Sequence, residues 1–275
     1  MDVASKVKLN NGVEIPQLGL GVFRSPEGPE TVNAVRWAIE AGYIHIDTAK
    51  IYGNEKSVGE GIRAGGLARE KLFLTTKLWN ADMRANRQLA AFDESLKLLG
   101  VDYVDLYLIH WPVENYLDSW RTLEKIYASG KAKAVGVSNF QIRHLEKVLA
   151  ETGVVPAVNQ IELHPYLTQE PLRRFCAEKG IAVQAWSPIG GQGNDLLKNP
   201  LLADLGAKHG KTPAQIVIRW HLQRGVIAIP KSVKKERILE NRLVFDFALS
   251  ADEIAAVNGL NLNRRNGADP DNFNF

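Results

Sequence analysis

One cysteine, Cys176, in 275 residues rules out a disulfide within the chain, and a lone thiol suits a reducing compartment. No apolar run approaches the ~18 residues that a membrane-spanning helix needs. The first ten residues lack the apolar stretch of a secretory signal. Charge of one sign is scarce as well. The 34 Lys and Arg face 31 Asp and Glu for a net +3, without a dense basic block, so a nucleic-acid surface is not expected. There is no Walker-type phosphate loop, no H-E-x-x-H and no Cys/His cluster, and hence no expected metal. The Rossmann fingerprint is also missing: Gly19-Leu20-Gly21 begins like it, but its sixth position is Arg24. The expectation is a soluble, cytoplasmic monomer with a small-molecule partner and neither nucleic acid nor membrane as a partner.

What is present is an alternation. Apolar residues make up 45% and charged residues 24%, ordinary values for a chain long enough to bury a core without staples. Short β-branched or apolar runs lie at residues 18–22, 44–47, 72–78, 104–110, 134–138, 157–162, 182–186 and 226–229. Several are apolar nearly throughout, as strands covered on both faces are. Amphipathic stretches separate them at 29–41, 54–64, 87–99, 116–128, 142–150, 169–179, 213–223 and 235–241. Asn54 and Thr168 are candidate N-caps, Gly42, Gly100, Gly130 and Gly180 candidate helix stops, and Thr212-Pro213 a strong start signal. Eight such units without a Rossmann turn predict a (β/α)8 TIM barrel, a fold for which ~250 residues are typical. Residues 6–15 read as an N-terminal β-hairpin around Asn11-Gly12 that plugs the bottom of the barrel. A further C-terminal helix at 250–260 and a polar tail at 264–275 complete a single domain spanning 1–275.

Functional side chains of such a barrel gather at the C-terminal ends of the strands. Those ends carry Asp47 with Tyr52 just beyond, Lys77, and His110. A phenol ionises near pH ~10, and a nearby ammonium lowers that value. Lys77 can supply the charge, with Asp47 fixing Lys77 in place, and an imidazole beside the phenol can orient a substrate oxygen. Each residue alone is more often packing, a cap or a surface pair. Four on three successive strand ends suit a general acid that protonates a developing alkoxide.

An anion site is the other candidate. Lys231, Ser232 and Val233 end the eighth strand, and Arg237, Glu240 and Asn241 follow on the next helix, where barrels often bind phosphate. By charge alone, a solvated basic helix start explains the same residues better. Gly190-Gly191-Gln192-Gly193 is a flexible loop able to close over a pyrophosphate.

Together the motifs resemble one family across nearly the whole chain, the aldo-keto reductases. The stretches that carry the likeness are residues 42–49 running into Tyr52-Gly53-Asn54-Glu55, then 76–79, 105–112, 136–140, 159–165 and 229–232. Within the family the chain is similar to the microbial branch that contains 2,5-diketo-D-gluconate reductases and the prostaglandin F synthases of kinetoplastids. The resemblance implies NADPH as cofactor and reduction of aldehydes and ketones by hydride transfer. It implies Tyr52 as general acid, Lys77 and Asp47 tuning it, and His110 orienting the carbonyl. Trp186 would stack on the nicotinamide, with Ser138, Asn139 and Gln160 on its carboxamide and Ser187 through Gly193 along the pyrophosphate. Lys231, Ser232, Val233 and Arg237 would take the adenosine 2′-phosphate, and Glu240 and Asn241 the adenine. Phe23, Trp79 and Trp111 are expected to wall the substrate pocket.

Departures from the family pattern are a compact stretch at 113–118 and a short tail, which predict an open pocket. Lys50 and Arg242 stand where smaller residues are common. Two other functions fit the barrel more loosely: a Schiff-base aldolase using Lys77, and a barrel that binds NADPH without turnover.

Overall fold

The structure is a computed structural model and describes residues 5–191, 193–273 and 275. The first paired element is the expected hairpin, β1 (Lys6–Lys8) against β2 (Glu14–Pro16), antiparallel with Val7 opposite Ile15. Its turn differs from the two-residue type that Asn11-Gly12 suggests. The Leu9 N–H donates to Val13 O at 2.8 Å, so three residues form the loop, and Gly12 takes the left-handed position at φ +88°. Asn11 spends its amide on Lys133 O instead, at 3.0 Å.

Eight parallel strands follow: β3 (Leu20–Gly21), β4 (His45–Asp47), β5 (Phe73–Leu78), β6 (Val104–Ile109), β7 (Ala132–Ser138), β8 (Val158–Glu162), β9 (Ala182–Trp186) and β10 (Ile227–Ala228). Their spatial order is their chain order. The ring closes between β3 and β10 through parallel bridges Leu18–Ala228 and Gly21–Lys231. Gly19 N–H donates to Ala228 O and Ala228 N–H to Gln17 O, both at 2.9 Å. The expected barrel is therefore present, each strand two to seven residues long and within a few residues of its sequence-predicted position.

Side chains alternate along a strand, and this sorts the core into two shells. Leu9 and Ile15 of the hairpin pack with Phe73, Leu106, Leu108, Ala134, Val158 and Ile227. Residues from five strands on different sides of the ring meet only in its interior, so the hairpin does plug that end. The larger shell lies between strands and helices and includes the fully buried Trp120 and Trp220; burying such a side chain stabilises by roughly 1.5–3 kcal/mol.

The helices are α1 (Pro29–Glu40), α2 (Glu55–Gly65), α3 (Asn80–Arg84), α4 (Gln88–Leu99), α5 (Tyr116–Ala128), α6 (Ile142–Glu151), α7 (Glu170–Glu178), α8 (Pro200–His209), α9 (Pro213–Gln223), α10 (Lys235–Asn241) and α11 (Ala251–Asn258). Two of them, α3 and α8, were not expected from the sequence. All four predicted glycine stops have positive φ, between 68° and 89°. Thr212 caps α9 with a full capping box, its hydroxyl accepting from Gln215 N–H while Gln215 reaches back to Thr212 N–H.

The other two predicted caps fail. Asn54 precedes α2, but its side chain turns inward, donating to Val22 O and Ser25 O and accepting from the Thr48 hydroxyl. Thr168 is displaced because Gln169, at φ +47°, occupies the cap position of α7. In α2, Gly61 allows close packing on α1, where a Cβ would lie 2.7 Å from Val35 Cβ. That contact offsets the ~1 kcal/mol that glycine costs within a helix.

Candidate active site

The strand ends bring Asp47, Tyr52, Lys77 and His110 together at one mouth. Asp47 ends β4, and a single 3₁₀ turn, Lys50–Tyr52, swings Tyr52 back over it. Lys77, fully buried on β5, donates to Asp47 Oδ1 at 2.6 Å, Thr48 O at 2.8 Å and Tyr52 Oη at 3.3 Å. Those bonds use all three ammonium hydrogens. Burial alone would lower the Lys77 pKa, but the charges and hydrogen bonds of Asp47 and Tyr52 outweigh it and the value is raised. A lysine so engaged has no free lone pair for a Schiff base, which removes support for the aldolase reading.

The electrostatics of Tyr52 differ from the sequence expectation. The phenol reaches inward to Lys77, and burial raises its pKa above the ordinary value; Lys77 offsets only part of that rise, and Asp47 adds to it. The phenol is thus held protonated, with its acidity adjusted by Lys77 rather than lowered outright. His110 is driven well below the ordinary imidazole range, first by burial and then by Lys77, so it is neutral. Its Nδ1 is buried without a partner among the described residues. The His110 ring packs edge-on to Tyr52 and Trp79, at centroid distances of 5.7 and 5.3 Å.

The residues expected to hold a nicotinamide line the opposite side of this mouth. Ser138 Oγ donates to Gln160 O at 2.8 Å, and Asn139 Nδ2 donates to His110 O at 3.0 Å. The half-buried Trp186 donates its indole N–H to Asn139 Oδ1 at 2.8 Å. Asn139 and Ser187, each just past a strand, are left-handed at φ 65° and 47°. Such conformations are uncommon outside glycine and cluster at functional sites. Gln160 Nε2 donates to Asp47 Oδ2 at 2.7 Å and to Gln184 Oε1 at 3.1 Å. Both its N–H groups are therefore engaged, leaving Oε1 as the acceptor a carboxamide requires. Gly193 follows on the loop after β9 at φ +79°, while Gln192 lies outside the described residues.

Lys231, just after β10, and Arg237, within α10, are exposed; neither forms an ion pair among the described residues, and Glu30 acts on Lys231 only from a distance. Ser232 Oγ accepts from Lys234 N–H at 3.1 Å, bending that loop, and Val233 is half-buried beside it. Exposed cations in this position suit a phosphate as well as a solvated helix start. Glu240 is partly diverted, because its Oε1 accepts from the Thr212 hydroxyl at 2.8 Å. Asn241 is buried. Lys50 forms ion pairs with Asp82 at 3.0 Å and Glu94 at 2.6 Å.

The expectation of an open pocket is corrected by the tail. Phe23 lies 5.0 Å from Tyr52 between ring centroids. Trp79 and Trp111, however, are themselves covered. Phe275 stacks on Trp79 at 5.9 Å and 7°, and Phe273 packs on Trp111 at 4.9 Å. The tail is tied down upstream, where the main-chain N–H groups of Asn266 and Gly267 donate to the fully buried Glu162 carboxylate, Asn266 at 2.7 Å. His164, also fully buried, lies 3.1 Å from the same carboxylate. Gly267 sits against the Trp186 indole so closely that a Cβ would collide with its ring. Glu162 and His164 stand in the 159–165 motif, but nothing in the sequence pairs them with residues 266 and 267.

Residues 17–262 match the model of the aldo/keto reductase family. The chain belongs to that family. It is 52% identical to the 9,11-endoperoxide prostaglandin H2 reductase of Trypanosoma cruzi, over 97% of this chain and 95% of that one. It is 50% identical to the glyoxal reductase of Bacillus subtilis, over 98% and 97%. Among solved structures, the Bombyx mori aldo-keto reductase in complex with NADP superposes with a TM-score of 0.90 at 41% identity, covering 96% of this chain and 95% of that one. This family member is an NADPH-dependent oxidoreductase of carbonyl compounds. No helix among the described residues is long and apolar enough to cross a membrane.

Proposed function

We propose that this chain reduces small 2-oxoaldehydes and aromatic aldehydes, with Tyr52 as the proton donor to the carbonyl oxygen. The observation that carries the reading is Lys77, locked between Asp47 and Tyr52 with every ammonium hydrogen engaged. NADPH, when bound, supplies the hydride to the carbonyl carbon. The carbonyl oxygen sits between Tyr52 Oη and the neutral His110 ring, which orients it without competing for the proton. As negative charge builds on that oxygen, the Tyr52 proton crosses to it, and Lys77 faces the phenolate left behind. Trp186, Ser138, Asn139 and Gln160 would hold the nicotinamide end, and Ser187 and Gly193 of the loop after β9 would take the pyrophosphate. Lys231, Ser232, Val233 and Arg237 would hold the 2′-phosphate, and Glu240 and Asn241 would face the adenine.

The substrate walls are Phe23, Trp79 and Trp111 with Phe273 and Phe275, an aromatic lining that favours apolar or flat carbonyl compounds. Relatives whose names specify glyoxal and methylglyoxal reduction support the small-aldehyde end of that range. We further infer a cytoplasmic monomer that works as one domain. The support is that the hairpin and the tail close the two ends of the barrel from within the same chain, and that Cys176 is a buried thiol. NADPH and NADH oxidation measured across methylglyoxal, nitrobenzaldehyde and simple ketones tests the reading. Turnover with NADPH strongly preferred is expected; no turnover on any of them contradicts it.

A further inference from the structure

Below the mouth, a buried polar chain continues from Asp47 to the floor of the barrel. Gln160 Nε2 donates to Asp47 Oδ2 at 2.7 Å and to Gln184 Oε1 at 3.1 Å. Gln184 Nε2 then meets His45 Nε2 at 3.4 Å, and His45 Nδ1 meets Pro16 O at 3.1 Å. All of these side chains are at most 2% exposed. Gly19 makes room for the imidazole, since a Cβ there would lie 2.7 Å from His45 Cγ.

The two ends of the chain determine its direction. Pro16 O and the Asp47 carboxylate can only accept. His45 must therefore carry its proton on Nδ1 and accept at Nε2. Gln184 must present its NH2 to His45 and its Oε1 to Gln160, and Gln160 must present its NH2 to Asp47. Turning either amide over would set donor against donor or acceptor against carboxylate. We propose that His45 is a positioning residue for the Tyr52 proton donor, because its acceptor nitrogen holds Gln184 in the orientation whose Oε1 anchors the Gln160 NH2 against Asp47.

A histidine able to do this has to stay neutral. Burial lowers the His45 pKa to about 4, against the opposing pull of Asp47 and Asp105; Lys77 faces it too, and Phe73 packs edge-on. The consequence reaches Tyr52 through Lys77. Once Asp47 loses the Gln160 N–H, its Oδ2 keeps more charge and draws the Lys77 ammonium toward itself. Lys77 then stabilises the Tyr52 phenolate less, and the phenol becomes a weaker acid. The ionisable groups around that phenol are Lys77, Asp47 and the neutral His110.

This inference rests on the role of Tyr52 proposed above. The experiment measures kcat and its pH dependence for methylglyoxal reduction by NADPH in the full chain carrying His45→Leu, His45→Gln or Gln184→Leu, with Tyr52→Phe alongside. His45→Leu and Gln184→Leu are expected to lower kcat roughly tenfold, the scale of one hydrogen bond to a charged group. They are also expected to move the alkaline limb of the profile upward. His45→Gln keeps an acceptor at the Nε2 position and is expected to retain the parental profile. Gln184→Leu leaves the imidazole in place and carries the test if His45→Leu does not fold. Parental kcat and limb in both leucine variants, or equal losses in His45→Leu and His45→Gln with an unmoved limb, would overturn the proposal. Activity retained in Tyr52→Phe would instead strike the assignment of Tyr52 itself.

Discussion

Phe275 lies flat over Trp79, their rings 5.9 Å apart and 7° from parallel, so the tail extends the aromatic wall proposed for the substrate. An aromatic wall contributes to binding through buried area and ring contact, about 0.5–1.5 kcal/mol beyond area alone. Phe275→Ala is expected to raise KM for nitrobenzaldehyde several-fold and to leave KM for the smaller methylglyoxal nearly unchanged. Steady-state kinetics on the two substrates check this.

Gly267 occupies the other end of the same tail, against Trp186. Any side chain there must push the indole aside or lift the tail from Glu162. Gly267→Ala is expected to weaken NADPH binding about tenfold, the scale of a displaced aromatic contact. A fluorescence titration of NADPH reads it directly. Unchanged affinity would mean that the tail does not position Trp186.

The cations after β10 make a separable prediction. Lys231 and Arg237 form no ion pair among the described residues, Glu30 acting on Lys231 only from a distance, and a charge-assisted bond to phosphate is worth roughly 1.5–3 kcal/mol. Arg237→Ala is expected to raise the Kd for NADPH by about one to two orders of magnitude. The Kd for NADH, which lacks the 2′-phosphate, should stay where it was. Equal weakening of both would assign Arg237 to the fold rather than to the phosphate.

Buried histidines held neutral, His45 and His221 among them, lower the stability in acid. Burial lowers His45 to about 4 and His221 to about 3, whereas an unfolded chain's histidine titrates near ~6.5. Between those values the unfolded state binds protons that the folded state refuses. Stability is therefore full above about pH 6.5 and falls as pH drops toward 4, by roughly 1.4 kcal/mol per pH unit for each histidine. Urea unfolding at pH 7, 6 and 5 is expected to show a falling midpoint. A midpoint constant over that range contradicts the neutral-histidine account.

Much of the barrel was legible because the period of the sequence and the punctuation agreed. Thr212-Pro213 announces α9 with a cap and a first-turn proline, and the structure uses both. The same signal precedes α8, where Asn199 caps with Pro200 behind it and Gly210 ends the helix, a helix absent from the sequence expectation although its punctuation is present. At five residues, α3 is too short to show a period. The four strand-end residues were legible as a group because barrel order places successive strand ends side by side. Their electrostatics were not: sequence puts Lys77 beside Tyr52, but only the fold reveals that burial outweighs it. The links from Asp47 to Gln160 and from Gln184 to His45, and the return of Phe273 and Phe275 to Trp111 and Trp79, join residues more than a hundred positions apart. No local pattern encodes such pairs.

The most direct test of the account is Tyr52→Phe, which removes one oxygen and leaves the ring against Phe23 and His110. NADPH affinity and the single-turnover rate of methylglyoxal reduction should be measured on the same preparation. The account predicts parental NADPH binding with turnover lost. Parental turnover in this variant would contradict it.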